Sequence, residues 1–295
     1  MQLDTLLARA GARLQAGGSS SPRRDAEVLL CHVLKVERSW LYTWGDREAG
    51  PWQRARFEAL VAARAQGQPV AYLTGEREFW GLGLATGPST LIPRPDTETL
   101  VEAALALAGA TEGALLDLGT GTGAIALAFA SERPGWQAMG VDISQEAVEL
   151  AQYNARRLEI ANVVFLQSDW LDALEAKPRH RQRFDLIVAN PPYIAESDPH
   201  LTQGDVRFEP RSALVSGDDG FFDLEYLISE ARRYLKEGGW LLLEHGFAQG
   251  ERLGQAIEAA GYDAVETLAD LAGRPRVTRG CWPGPRLDSD SSKTR

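Results

Sequence analysis

After residue 113 the chain repeats one pattern, a short apolar run followed by a turn and then a helical stretch. Ala114–Leu118, Ala138–Ile143, Val163–Gln167, Phe184–Ala189 and Trp240–Glu244 read as strands. Ala124–Ala130, Ala147–Arg157 and Phe221–Leu235 read as helices. Strands with few polar residues on either face need cover on both sides, and intervening helices provide it. The pattern predicts an α/β fold with a parallel, doubly wound, Rossmann-like sheet.

The first 75 residues follow a different period. Leu3, Leu6, Leu7, Ala10 and Leu14 form one helical stripe, and Ala26, Leu29, Leu30, Val33 and Leu34 form a second. Ser21-Pro22 predicts an N-cap followed by proline at the first helical position. A third helix is expected from near Pro51, with Phe57, Leu60 and Val61 inward, ending at Gly67. Residues 1–75 are therefore expected to form a small helical domain, with substrate recognition as its functional option. Residues 76–96 predict a hairpin-like connector, built on Phe79, Trp80, Leu82 and Leu84 among glycines. Asp96 is expected to cap the helix that continues through Leu100, Val101, Leu105 and Leu107. Residues 97–284 make the sheet domain, and residues 285–295 are a polar tail expected to be disordered.

Charge narrows the choice of function. The net charge is −10, unsuited to a chain whose main task is gripping phosphates. Residues 1–75 hold ten Lys and Arg against seven Asp and Glu, whereas the remainder holds 21 against 34. The basic stretch Lys177 to Arg183 reads as a solvated loop, with a partner contact as its alternative. The two cysteines, Cys31 and Cys281, exclude a disulfide framework and fit a reducing cytoplasm. With four scattered histidines they argue against a structural zinc site, and no metal is expected. No apolar run approaches the roughly 18 residues needed to span a bilayer, so no membrane association is expected. Met1-Gln2-Leu3-Asp4 shows no sign of a secretory leader.

In doubly wound sheets ligands bind beyond the carboxyl ends of the strands. The first strand runs into Asp117-Leu118-Gly119-Thr120-Gly121-Thr122-Gly123-Ala124, a loop whose backbone can approach a ligand closely. Asp142 ends the second strand, where a carboxylate can accept both hydroxyls of a ribose. Gly119, Gly121 and Ala124 also satisfy the G-x-G-x-x-A dinucleotide pattern, which keeps an NAD-dependent oxidoreductase in play. After the third strand, Asp169 can accept from an adenine amino group and Trp170 can cover the base; a capping Asp and a core Trp are the alternative. After the fourth strand comes Asn190-Pro191-Pro192-Tyr193. Two prolines stiffen this corner and leave the Pro191 carbonyl able to accept from outside.

A glycine-rich Asp-Leu-Gly-Thr-Gly-Thr-Gly loop followed by Asn-Pro-Pro-Tyr resembles S-adenosyl-L-methionine-dependent methyltransferases acting on planar amino groups. More narrowly, the chain resembles the PrmC/HemK family of release factor glutamine N5-methyltransferases. The segments that carry this narrower resemblance are Pro69 to Gly75, Glu78 to Gly81, Leu91 to Glu98 and Gln203 to Pro210. The resemblance implies a class I methyltransferase sheet and S-adenosyl-L-methionine as cofactor. It also implies a class-1 peptide-chain release factor, methylated at the glutamine of its Gly-Gly-Gln motif, as protein substrate in the cytoplasm. No direct nucleic-acid partner is expected. The implied cofactor residues are Gly119, Thr120, Gly121, Thr122, Gly123, Asp142 and Trp170, with Asn190 near the reactive methyl and Asp117 toward the methionine ammonium.

The chemistry of the groups assigns the rest. The Asn190 side-chain oxygen and the Pro191 carbonyl can each accept one N–H of a glutamine amide. Pro192 and Tyr193 are expected to pack against that amide, and Phe79 to form another wall. Catalytic roles therefore fall on Asn190, Pro191 and Tyr193. His245 reads as a structural histidine. Adenine N6 methylation of nucleic acid shares this planar-amine chemistry and is the nearest alternative. A non-catalytic binding protein that retained the fold is another. A basic release-factor tip would be drawn electrostatically toward the acidic domain.

Overall fold

A computed structural model describes residues 1–109, 111–175 and 183–285. Most of the basic stretch 177–183 and the tail from residue 286 lie outside the described residues. The chain divides into two compact units.

The first unit is helical: α1 (Leu3–Ala16), α2 (Pro22–Leu34), α3 (Arg38–Thr43), α4 (Pro51–Ala65) and α5 (Val70–Thr74). Leu3, Leu6 and Leu14 of α1 pack with Leu29 and Leu30 of α2 and with Phe57 and Leu60 of α4, as the helical period requires. Ser21 occupies the N-cap of α2, but its hydroxyl binds the Asp25 carboxylate at 2.8 Å rather than a backbone N–H. The unit is not one stretch of sequence. Thr86–Pro88 and Pro199–Glu209 also belong to it. Arg64 binds Asp25 at 2.7 Å and Asp205 at 2.6 Å, across 141 residues of chain in the second case.

A hairpin of β1 (Glu76–Phe79) and β2 (Leu82–Ala85) follows. In the second unit a single-turn 3-10 helix at Pro95–Thr97 leads into α6 (Glu98–Leu107). Asp96 does not cap α6, contrary to expectation. Its carboxylate is paired with Arg276 at 3.3 Å, and Thr97 stands at the N-cap position. The sheet then builds from β3 (Gly113–Leu118), β4 (Trp136–Asp142), β5 (Val163–Gln167), β6 (Phe184–Ala189), β7 (Leu235–Glu244), β8 (Asp263–Ala269) and β9 (Pro275–Cys281). The helices α7 (Ala124–Glu132), α8 (Gln145–Arg157), α9 (Asp172–Glu175), α10 (Phe222–Ala231) and α11 (Gly250–Ala259) connect them.

The strand order is β5-β4-β3-β6-β7-β9-β8. The first five strands in that order are parallel, and β9 runs antiparallel to both β7 and β8. The five strands read from the sequence are the five parallel ones, and β9 and β8 extend the sheet with antiparallel pairing. Leu115 of β3 packs with α7 and α8 on one face, while Leu116 and Leu118 pack with α10 and α11 on the other. This alternation along one strand is what double winding demands. The chain starts at β3, moves outward through β4 to β5, then crosses back to β6, so the switch point lies between β3 and β6.

Candidate active site

The carboxyl ends of β3, β4, β5 and β6 open onto a cavity of about 290 Å³. Gly119, Thr120, Gly121, Thr122, Asp142, Asp169, Trp170, Asn190 and Pro192 all line it. Four separate strand ends therefore bring together most of the residues read from the sequence.

The glycine loop is shaped from below. Asp117 is fully buried, and its Oδ2 accepts from Thr120 Oγ1 at 2.6 Å and from the Ala126 N–H at 3.3 Å. It supports the loop and is not part of the cavity lining. A Cβ at Gly119 would sit 3.4 Å from the Trp170 ring, so glycine there leaves ring and backbone to form a narrow cradle. Trp170 has φ of 44°, a left-handed conformation that side-chain-bearing residues rarely adopt. That backbone turn sets the half-buried indole at the cavity wall.

Asp142 is oriented by the backbone: Oδ2 accepts from the Gly121 N–H and Oδ1 from the Ser144 N–H, both at 2.9 Å. Each oxygen keeps a lone pair for another donor. Burial pushes the carboxyl up from its ordinary value, opposed by these N–H groups. The donor set fits an adenosine-bearing ligand. A fixed carboxylate suits ribose hydroxyls, the Trp170 and Ile143 side chains suit a flat base, and Asp169 suits an exocyclic amine.

At the β6 end, Asn190 Nδ2 donates to Thr97 Oγ1 at 3.2 Å. Among the described residues nothing donates to Asn190 Oδ1 or to the Pro191 carbonyl. Pro191 and Tyr193 do not line the cavity. The Tyr193 hydroxyl donates to Glu244 Oε1 at 3.5 Å, and its carbonyl accepts from Gln249 Nε2 at 3.2 Å. Burial, with the nearby Glu244 carboxylate, holds the Tyr193 hydroxyl protonated well beyond its ordinary range.

Two further expected site residues, Phe79 and Gly123, also do not line the cavity. Phe79 is 1% exposed and packs in the core with Leu84, Leu100 and Val101, so it forms no wall of the cavity. Gly123 has φ of 82°, and a Cβ on it would come within 3.1 Å of Leu127, Phe165 and Ala151. Its role is to let α7 close onto the sheet. His245 is fully buried, with Nε2 on Thr278 Oγ1 and Nδ1 on the Gly246 carbonyl, both at 2.9 Å.

Sequence reasoning assigned no role to Thr97, Ser144, Glu244 or Arg276. Thr97 lies inside the Leu91–Glu98 segment that carries the resemblance, and that was its one available signal. Glu244 is fully buried at the end of β7, and burial pushes its carboxyl up to about 7 despite Thr97, Arg276 and Tyr193. Among the described residues no cluster of three or more His, Cys, Asp or Glu is placed to hold a metal ion. Among the same residues no helix is long and apolar enough to cross a membrane.

Comparison with known proteins agrees with this geometry. The family described as the PrmC N-terminal domain matches residues 5–75, and a methyltransferase domain family matches residues 111–268. The release factor glutamine methyltransferase of Vibrio cholerae is 51% identical over 284 residues, covering 96% of this chain and 98% of that protein. The protein of the same name in Escherichia coli is 51% identical over 280 residues, covering 95% and 99%. Among solved structures, a methyltransferase from Pyrococcus furiosus aligns with a TM-score of 0.52 at 18% identity, covering 80% of this chain and all of that one. That likeness speaks for the fold. Matches of this extent do not favour the oxidoreductase or the nucleic-acid methyltransferase reading. The chain belongs to the release factor glutamine methyltransferase family.

Proposed function

We propose that the protein transfers a methyl group from S-adenosyl-L-methionine to the side-chain amide nitrogen, N5, of the glutamine in the Gly-Gly-Gln motif of a class-1 peptide-chain release factor. The observation that carries the site assignment is Asn190. Its NH2 group is engaged by Thr97 while its oxygen remains an open acceptor at the switch point of the sheet.

The cofactor, when bound, supplies a methyl group already activated by a sulfonium, so the protein's task is orientation. Asp142 holds the ribose hydroxyls, Trp170 and Ile143 flank the base, and the backbone of Gly119 to Thr122 runs alongside the remainder. Asn190 Oδ1 and the Pro191 carbonyl accept the two N–H bonds of the substrate amide, which fixes its nitrogen and favours the positive charge that develops there. Pro192 lines the cavity beside Asn190 and excludes water from the amide. Tyr193 acts from behind, holding the corner through Glu244. The nitrogen bears an acidic proton after methyl transfer and releases it to water. No dedicated base is needed, which agrees with His245 having both ring nitrogens occupied. A substrate drawn from translation implies the cytoplasm as the site of reaction.

The test is mass spectrometry of a release-factor digest after reaction with methyl-labelled cofactor, run beside a DNA control. A single added methyl on the Gly-Gly-Gln glutamine is expected; label in DNA alone would overturn the reading. Asn190→Ala should lower turnover by roughly 100-fold or more with the fold intact by circular dichroism. Undiminished product formation would contradict the amide clamp.

A further inference from the structure

An asparagine can serve as an amide acceptor only if its oxygen faces the substrate, and a side-chain amide turned by 180° would present its NH2 instead. The surroundings of Asn190 decide between these. Ala189 of β6 is in register with Leu243 of β7, so Asn190 and Glu244 leave adjacent strands side by side. Thr97, 4% exposed, comes from the turn before α6; its Oγ1 accepts from Asn190 Nδ2 at 3.2 Å, and its hydroxyl is among the side-chain groups that favour the ionised Glu244 carboxylate. A hydroxyl has one proton to give. If it goes to the Glu244 carboxylate, Thr97 can only accept from Asn190, and the Asn190 NH2 must face Thr97.

We propose that Thr97 and Glu244 are positioning residues for the methyl-transfer reaction: the Thr97 hydroxyl donates to Glu244 and accepts from Asn190 Nδ2, which locks the Asn190 oxygen toward the substrate amide. This deepens the proposed function and rests on its reading of Asn190 as the amide acceptor.

The surroundings are built to keep this relay in one state. Asp96, next to Thr97, is held by Arg276 at 3.3 Å, and Arg276 is itself tied to Asp270 at 3.2 Å. The groups facing Glu244 are the Thr97 and Tyr193 hydroxyls, the Arg276 guanidinium, which favours its ionised form, and the Asp96 carboxylate, which opposes it. His245, next in sequence, is turned toward Thr278 and Gly246. Glu244 Oε2 has no hydrogen-bond partner among the described residues, whereas Oε1 accepts from the Tyr193 hydroxyl at 3.5 Å. Protonating Glu244 frees the Thr97 hydroxyl to turn its own proton toward Asn190, and the amide can then reverse. The ionised relay is the productive one.

The experiment compares wild type with Thr97→Val, Thr97→Ser, Glu244→Gln and Asn190→Ala, measuring kcat and KM for the release factor, cofactor affinity and the pH dependence of kcat. Thr97→Val and Glu244→Gln are expected to lose roughly 10- to 100-fold in kcat with cofactor affinity unchanged. Thr97→Ser, which keeps the hydroxyl, is expected within about 3-fold of wild type. Wild-type kcat is expected to rise with pH through about 7, and that limb is expected to vanish in Glu244→Gln. Wild-type kcat in Thr97→Val, or a limb unchanged in Glu244→Gln, overturns the relay. Should Thr97→Val lose its fold, the Glu244→Gln profile decides alone. If Asn190→Ala is inactive while both relay variants turn over normally, only this inference fails; if Asn190→Ala is active, the amide clamp itself fails.

Discussion

Asp117 has one oxygen satisfied and the other sealed away from water. Oδ2 takes two hydrogen bonds, while Oδ1 is buried with no partner among the described residues. Burial, the largest effect, raises its proton affinity to about 7 against an ordinary value of 3.8. The folded protein therefore holds a proton that the unfolded chain releases between those two values. The stability this contributes is fully present below pH 3.8 and is lost as pH rises through about 7. Asp117→Asn should remove that slope, a difference on the order of 3 kcal/mol by pH 8. Melting temperatures of the two cofactor-free proteins from pH 5 to 8 will show it; parallel curves would refute it. The sequence placed Asp117 correctly at the end of a strand yet associated it with the ligand. Its burial beneath the loop depends on Thr120 and Ala126 folding over it, which no spacing announces.

At the scale of elements, Asn154 on α8 binds segments that are far apart in sequence. It is fully buried, accepts from the Ala85 N–H at 2.8 Å, and donates to the Ala85 carbonyl at 3.1 Å and the Thr122 carbonyl at 2.9 Å. One side chain thus joins β2, α8 and the glycine loop. Asn154→Ala leaves three backbone groups unpaired and should cost about 2–4 kcal/mol, read as a lower midpoint of chemical denaturation. An unchanged midpoint would mean water replaces the amide. The helical stripes of α1, α2 and α4 and the bounds of β5 and β6 were legible because each is a local pattern of apolar residues. The short helices α3 and α5 complete too few turns to show a period. β8 carries Asp263 and Glu266 and has no fully buried residue, and β9 carries Arg276, Thr278 and Arg279 where a buried strand would ordinarily be apolar. β7 begins five residues before Trp240, hidden by Lys236-Glu237-Gly238-Gly239 and an irregular register opposite Phe184 and Leu186.

Over the whole molecule, the compact units do not follow the order of the chain. The helical unit gains Pro199–Glu209 from far downstream; Arg64 binds its Asp205, and its Arg207 donates to the Gln66 carbonyl at 2.9 Å. Arg64, with a side chain 10% exposed, binds two carboxylates and also donates to the Gln68 carbonyl at 3.1 Å. Arg64→Ala leaves the buried Asp25 carboxylate with the Ser19 and Ser21 hydroxyls but no cation and should cost roughly 3 kcal/mol, whereas Asp205→Ala, which leaves the Asp25 pair in place, should cost about 1. Denaturation monitored by the tryptophans of the helical unit will separate the two variants. Equal losses would place the stabilising contact at Asp205 rather than at the buried pair.

The amino-acid sequence alone determined the alternation of strand and helix, the glycine loop, the acidic end of β4 and the proline-stiffened corner after β6. Each is written in neighbouring residues whose backbone preferences and hydrophobic period are local. The tertiary structure alone decided that Phe79 is core, that Gly123 serves helix packing, and that Asp96 pairs with Arg276 instead of capping a helix. It alone brought Thr97 and Glu244 to Asn190. Those outcomes depend on contacts between segments roughly 20 to 180 residues apart. Such contacts form only once buried polar groups must find partners in a packed interior.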